Sequence, residues 1–162
     1  MKKMNKKLSA FLTLLILLAV LFTGGFDEIA TEAPEVIAEP AVIVQETIAE
    51  DGWYYSAEDV SLYIHTYGYL PGNFITKDEA RELGWEGGSV EQYAPGYAIG
   101  GDVFGNREGL LPDAPNRTYY ECDIDTLGAG NRGANRIVFS NDGLIYLTRD
   151  HYESFELLYG KE

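Results

Sequence analysis

A change of hydrophobic period near Tyr97 is the feature that most restricts how this chain can fold. Upstream of it, Val60, Tyr63, Ile64 and Tyr67 recur at the three- and four-residue spacing that puts side chains on one stripe of an α-helix. Ser56 stands before the stripe as a cap, Asp59 takes the reciprocal acidic position of a capping box, and Gly68 is placed to end the helix. Thr76 and Glu79 repeat this grammar, with Ala80 and Leu83 expected to face inward and Gly84 to stop a short helix. Ser89–Tyr93 can add one further turn. Downstream the period is two, and strands are expected over Tyr97–Val103, Arg117–Ile124, Arg136–Ser140 and Leu144–Thr148, with a last one near Phe155–Leu158. Asn141-Asp142-Gly143 between two of them is a hairpin signal. Helices first and consecutive strands after predict an α+β class, with N-terminal helices packed on a C-terminal antiparallel sheet.

The patterned part does not begin at residue 1. Residues 1–25 carry four lysines ahead of an apolar run from Leu8 to Phe22, then Thr23-Gly24-Gly25, the layout of a secretory signal peptide. A retained membrane anchor is the alternative, since the run is near the shortest that spans a bilayer. Both predict that the rest of the chain works outside the cytoplasm. Residues 26–50 hold seven acidic and no basic residues among Ala, Pro, Val and Ile, without sustained periodicity. They are expected to be an acidic linker or propiece. The domain proper is then 51–162.

That domain has a formal charge of −11, within −14 for the whole chain. Tight non-specific binding of a polyanion usually needs the opposite sign, so any contact with nucleic acid has to come from a local basic cleft. Cys122 is the one cysteine, which rules out an intramolecular disulfide framework. With two histidines and that single cysteine, no metal-ligand spacing and no Cys/His nucleophile pair is recognisable, so neither a metal nor another cofactor is expected. His65 sits beside the helical stripe and reads as a surface histidine.

Late in the domain the bases pool. Arg132, Arg136 and Arg149 fall near Glu121 and His151 at strand ends. A carboxylate, an imidazole and guanidiniums on one sheet face suit acid–base displacement at a phosphodiester; a salt-bridge network on a sheet face would use the same residue types. Lys77, at the first position of the second helix, lies where anions are favoured. The stretch GGDVFGNREGLLP, Gly100–Pro112, places an Arg–Glu pair between glycines, as a ligand-facing loop or a solvated hairpin with an incidental pair would.

Together YLPGNFITKDEARELGW (Tyr69–Trp85), YAPGYAIGGDVFGNREGLLP (Tyr93–Pro112), RTYYECDID (Arg117–Asp125), Arg132 and NRIVFSNDGLIYLTRDHY (Asn135–Tyr152) make the chain resemble the barnase-like family of secreted bacterial guanyl-specific ribonucleases. The match runs from about Tyr54 to Phe155, with one shortening between Trp85 and Ser89 and one added residue between Asp125 and Arg132. The resemblance implies the microbial ribonuclease fold, single-stranded RNA as substrate, and cleavage 3′ of guanosine without metal. It implies Glu121 as general base, His151 as general acid, and Lys77, Arg132 and Arg136 as phosphate-binding cations. It implies Asp102 and Asp123 as their braces and Tyr152 as a lining residue. Phe104, Gly105, Asn106, Arg107 and Glu108 are implied as the guanine loop, with the Glu108 carboxylate accepting from the base's N1 and N2 donors. An intracellular proteinaceous inhibitor of the barstar type is an implied partner. The competing reading is a catalytically idle relative that binds proteins through its acidic surface.

Overall fold

The computed structural model describes residues 47–162. The expected signal or anchor segment and residues 26–46 of the acidic segment lie outside the described residues. Helix α1, Ala57–Tyr67, starts where Ser56 accepts the Asp59 N–H in extended backbone, and ends at Gly68, whose N–H reaches Ile64 O at φ 82°. Asp59 does not complete a capping box; its carboxylate takes the Ser56 hydroxyl at 2.7 Å. Helix α2, Lys77–Glu82, does carry the full box between Thr76 and Glu79. Ala80 is buried beneath it, but Leu83 is 54% exposed, against expectation. The helix stops at Glu82, so Leu83 caps it and points away from the core.

One six-stranded sheet runs in chain order: β1 Phe74–Ile75, β2 Ala98–Phe104, β3 Tyr119–Asp123, β4 Arg136–Ser140, β5 Ile145–Thr148 and β6 Glu156–Tyr159. The ladders from β2 to β6 are antiparallel. β1 adds a short parallel pairing with β2 that the sequence pattern does not announce, because two residues have no period. The fold is α+β, as the pattern of elements predicts.

The pleat divides the sheet's two faces. Cys122, Ile124, Ile137, Phe139, Ile145 and Leu147 face α1 and form the main core with Val60 and Ile64. The Cys122 thiol lies inside this core, where burial pushes its pKa well up, so it behaves as a small apolar residue. Ala80, Trp85, Val90, Ala94 and Ile99 form a second cluster under α2. On the opposite face Leu111, Tyr119, Val138, Leu144 and Tyr146 pack with Phe104, Tyr152 and Phe155, and leave the rest of that face polar. His65 is exposed and stacks on Tyr159.

Candidate active site

Register decides which charges meet. Gly100 and Gly101 lead into a bulge: the pairing shifts between Gly100 and Asp102, and Gly101 has φ 97°, a conformation glycine adopts without strain. Past the bulge Asp102 stands opposite Glu121, while Glu121 stands opposite Val138 and Asp123 opposite Arg136. Asp102, Glu121, Asp123 and Arg136 therefore share the sheet face away from α1.

The Glu121 carboxylate is buried and held at both oxygens. Lys77 Nζ donates to Oε1 at 2.5 Å, and the Tyr152 hydroxyl donates to Oε2. Burial, the largest single influence, pushes its pKa up, but the bonds from Lys77 and Tyr152 and the charges of Lys77 and Arg132 outweigh it, so the group lies below the ordinary carboxylate range. Burial and then the Glu121 bond push the Tyr152 hydroxyl up, keeping it a donor. Asp102 accepts the Lys77 backbone N–H at 3.1 Å and lies 3.9 Å from its ammonium. The anion-favouring start of α2 is thus already taken by a carboxylate.

Asp123 joins the two arginines. Arg132 meets it with two parallel bonds, Nε to Oδ2 at 2.6 Å and Nη2 to Oδ1 at 2.8 Å. Arg136 Nε lies 2.8 Å from Asp123 Oδ1, an ion contact in which the N–H is not aimed well enough to count as a hydrogen bond. Arg136 Nη1 instead donates to the carbonyls of Arg132 and Asn135. The indole of Trp85 lies under the Arg132 guanidinium at 5.8 Å. Arg149, expected nearby, is directed elsewhere: it pairs with Glu156 in solvent at 2.8 Å.

His151 and Tyr152 sit in the connection from β5 to β6, both in left-handed backbone, φ 57° and 76°. Two consecutive residues with side chains in that region are costly and need external support. Support comes from Asp150, whose carboxylate accepts from Thr148 Oγ1, Ser154 N and Ser154 Oγ, and from Thr148 Oγ1, which accepts the Tyr152 N–H at 2.9 Å. The Tyr152 ring stacks on Phe104, centroids 5.2 Å apart.

After Phe104 the chain turns through Asn106, φ 41°, and Gly109, φ 65°. The Asn106 amide bridges this loop, accepting Leu111 N–H at 3.0 Å and donating to Leu111 O at 2.8 Å. Arg107 and Glu108 do not pair with each other or with any other charged group among the described residues.

These pieces enclose one open cleft of about 530 Å³. Lys77, Glu121, Arg132, Arg136, His151 and Tyr152 line it together with Phe104, Gly105, Asn106, Arg107 and Glu108. Asp102 and Asp123 stand behind the cations. Val103 also lines the cleft and is 67% exposed; nothing in its strand pattern sets it apart from an ordinary solvent-facing valine. The Thr148–Asp150–Ser154 support was likewise unmarked in sequence. Chemically, the cleft combines a hydrogen-bonded carboxylate, an exposed imidazole, two guanidiniums and an ammonium around space for an anion.

A family model described as ribonuclease matches residues 57–159. The ribonuclease of Bacillus intermedius is 39% identical over 158 residues, covering 93% of this chain and 97% of the relative. The ribonuclease of Heyndrickxia coagulans is 50% identical over 100 residues, 60% of this chain and 91% of its own. Guanyl-specific ribonuclease St of Saccharopolyspora erythraea is 46% identical over 61 residues, 38% of this chain and 60% of that one. The model spans every cleft residue and the long matches extend well beyond them, so the chain belongs to the ribonuclease family.

Proposed function

We propose that this protein is a secreted endoribonuclease that cleaves single-stranded RNA 3′ of guanosine, by transesterification to a 2′,3′-cyclic phosphate followed by hydrolysis, without a metal. The observation that carries the reading is Glu121 and His151 lining one cleft together with Lys77, Arg132, Arg136 and the Phe104–Glu108 loop.

RNA brings its own nucleophile, the ribose 2′-OH. Glu121 takes its proton as the 2′-oxygen attacks phosphorus, and the imidazolium of His151 gives a proton to the departing 5′-oxygen. Lys77, Arg132 and Arg136 stabilise the charge that builds on the equatorial oxygens of the phosphorane. Because Asp123 and Asp102 fix these cations beforehand, little reorganisation is needed when the charge appears. In the second stage the roles reverse: His151 deprotonates water and Glu121 returns a proton to the 2′-oxygen.

Guanine preference is supported by the unpaired Glu108 in a loop braced by Asn106, and by the guanyl-specific name of one relative. A carboxylate matches the two donors on guanine's Watson–Crick edge, and next to phosphates it is unfavourable unless such bonds compensate. The lysine-led apolar run supports export, with 1–25 removed and 26–50 as the acidic segment ahead of the domain.

The test is incubation of the purified chain with GpA, ApG and UpA in EDTA. Cyclic guanosine phosphate from GpA alone is expected, with activity lowered by about 10²–10⁴-fold in Glu121→Ala and in His151→Ala. Near-normal cleavage by either variant would overturn the assignment of roles, and no turnover of any substrate would overturn the enzymatic reading.

A further inference from the structure

The backbone of residues 48–50, just ahead of the domain's first turn, lies along four tyrosines, and three successive carbonyls are each matched by one phenol. Tyr67 donates to Ile48 O at 2.7 Å, Tyr54 to Ala49 O at 3.0 Å, and Tyr63 to Glu50 O at 2.8 Å. Tyr54 also accepts the Ala49 N–H at 3.0 Å, and Tyr69 donates to the Glu50 carboxylate at 2.5 Å. The rings brace one another: Tyr63 lies 4.7 Å from Tyr67, 5.7 Å from Tyr54 and 5.8 Å from Tyr69.

The geometry is built from the sequence outward. Tyr63 and Tyr67 are one helical turn apart on α1 and present their hydroxyls to the same strip of surface. Tyr69 follows the Gly68 cap, and Tyr54 folds back over its own approach. Gly52 permits that fold: a Cβ there would stand 2.2 Å from the Tyr54 hydroxyl and 2.4 Å from its ring. A protease needs its substrate backbone extended and free to pair with the enzyme, and here the carbonyls of 48, 49 and 50 are already engaged. Residues 49 and 50 are exposed, yet Ala49 is held at both its N–H and its carbonyl, and Glu50 at its carbonyl and its carboxylate.

We propose that this tyrosine comb sets the upstream limit of the folded enzyme: proteolytic trimming of the N-terminal part stops before Ile48, and residues 48–50 remain on the active protein as its first fixed segment. Because three of the contacts go to carbonyls, the comb does not depend on the side chains at 48 and 49. Only Tyr69 reads a side chain, that of Glu50, and this bond is the main cause that raises its phenol pKa.

The experiment uses the full chain and a glutamyl endopeptidase, which adds water across the bond after glutamate to give a carboxylate and a free amine. The bond read is Glu50–Asp51, by intact mass. It resists cleavage in the wild type and is cut about tenfold faster or more in the Tyr63→Phe/Tyr67→Phe/Tyr69→Phe variant, which keeps every ring and loses three hydrogen bonds. Gly52→Ala, which displaces Tyr54, speeds the same cut. Equal rates in wild type and variants would overturn the proposal, as would a matured protein whose mass places its N-terminus at Ala49 or later. Digestion of the variant throughout residues 51–162 at the rate of the Glu50 cut would show global unfolding and overturn the local comb. Dinucleotide cleavage plays no part in the readout, so the result stands apart from that of the catalytic assignment.

Discussion

Asp123 grips Arg132 through two parallel hydrogen bonds while its Oδ1 also lies against Arg136 Nε. Both Asp123 and Arg136 are 2% exposed, and among the described residues Asp123 is the one carboxylate within ion-pair distance of that guanidinium. Asp123→Asn keeps the shape and removes the charge. It is expected to cost about 3–5 kcal/mol in urea unfolding, the range for orphaning one member of a buried ion pair. A loss below about 1 kcal/mol would show that the pair is solvated in practice.

On the proposed mechanism, Glu121 sets the acid limb of activity. Its folded pKa is lowered, so the base stays ionised below the ordinary carboxylate range and activity falls only as pH drops through that depressed value. Tyr152→Phe removes one of the donors that oppose burial, and the limb of kcat/KM is expected to move up in pH. An unmoved limb in that variant would mean that the phenol does not hold the carboxylate in solution. By the same sign, Glu121 contributes folding stability above the unfolded carboxyl pKa, and this is lost as pH falls through the folded one.

The imidazole's support has its own pH signature. Asp150 is pulled down to about 2, first by the Ser154 hydroxyl, then by the Ser154 N–H and the Thr148 hydroxyl. Its contribution is complete above the ordinary aspartate value of 3.8 and is lost as pH falls toward about 2. Asp150→Asn is expected to flatten stability across that window. At neutral pH it should lower kcat by about tenfold, because His151 and Tyr152 lose the frame that holds their left-handed backbone. Unchanged kcat would place the support of that loop elsewhere.

Glu108→Gln should reduce kcat/KM for GpA by about 10–100-fold, the worth of a charged hydrogen bond or two, and change UpA cleavage little. Equal losses on both dinucleotides would assign Glu108 to the fold of the loop and not to base choice.

Salt should matter modestly. With a domain at −11, contact with the RNA backbone would rest, under the proposed function, on the few cleft cations. Each phosphate neutralised on a single strand contributes a slope of about −0.7, so log kcat/KM against log salt is expected near −2 or shallower. A much steeper slope would demand a basic track outside the cleft.

Much of this architecture can be read from the residues. Helix α1 is legible because Ser56, the Val60–Tyr63–Ile64 spacing and Gly68 all agree, and β4 and β5 because the Asn141-Asp142-Gly143 hairpin signal joins them. That Glu121, Asp123 and Arg136 share a face follows from period and register. What is illegible arises from contacts far apart in sequence. The parallel β1 strand exists only because Ala98 and Ile99 lie beside it. Leu83 is exposed because α2 ends one residue earlier than its apolar spacing suggests. Arg132 and His151 reach the cleft from connections, where no periodicity operates, and Lys77 from the first position of α2; the residues singled them out as charged groups, and only the family resemblance gave them roles. The left-handed pair His151-Tyr152 contains no glycine to announce it.

Strand β3 carries the charged Glu121 and the apolar Cys122 as neighbours, one toward the cleft and one toward α1. Odd and even positions along it therefore serve opposite sides of the molecule. Gaining or losing one residue inside the strand would exchange the two sides, sinking a carboxylate into the oil of the core and turning the thiol out to the cleft. Length can drift only where no such parity is enforced, in the connections, and the stretches after Trp85 and before Arg132 are both connections of that kind.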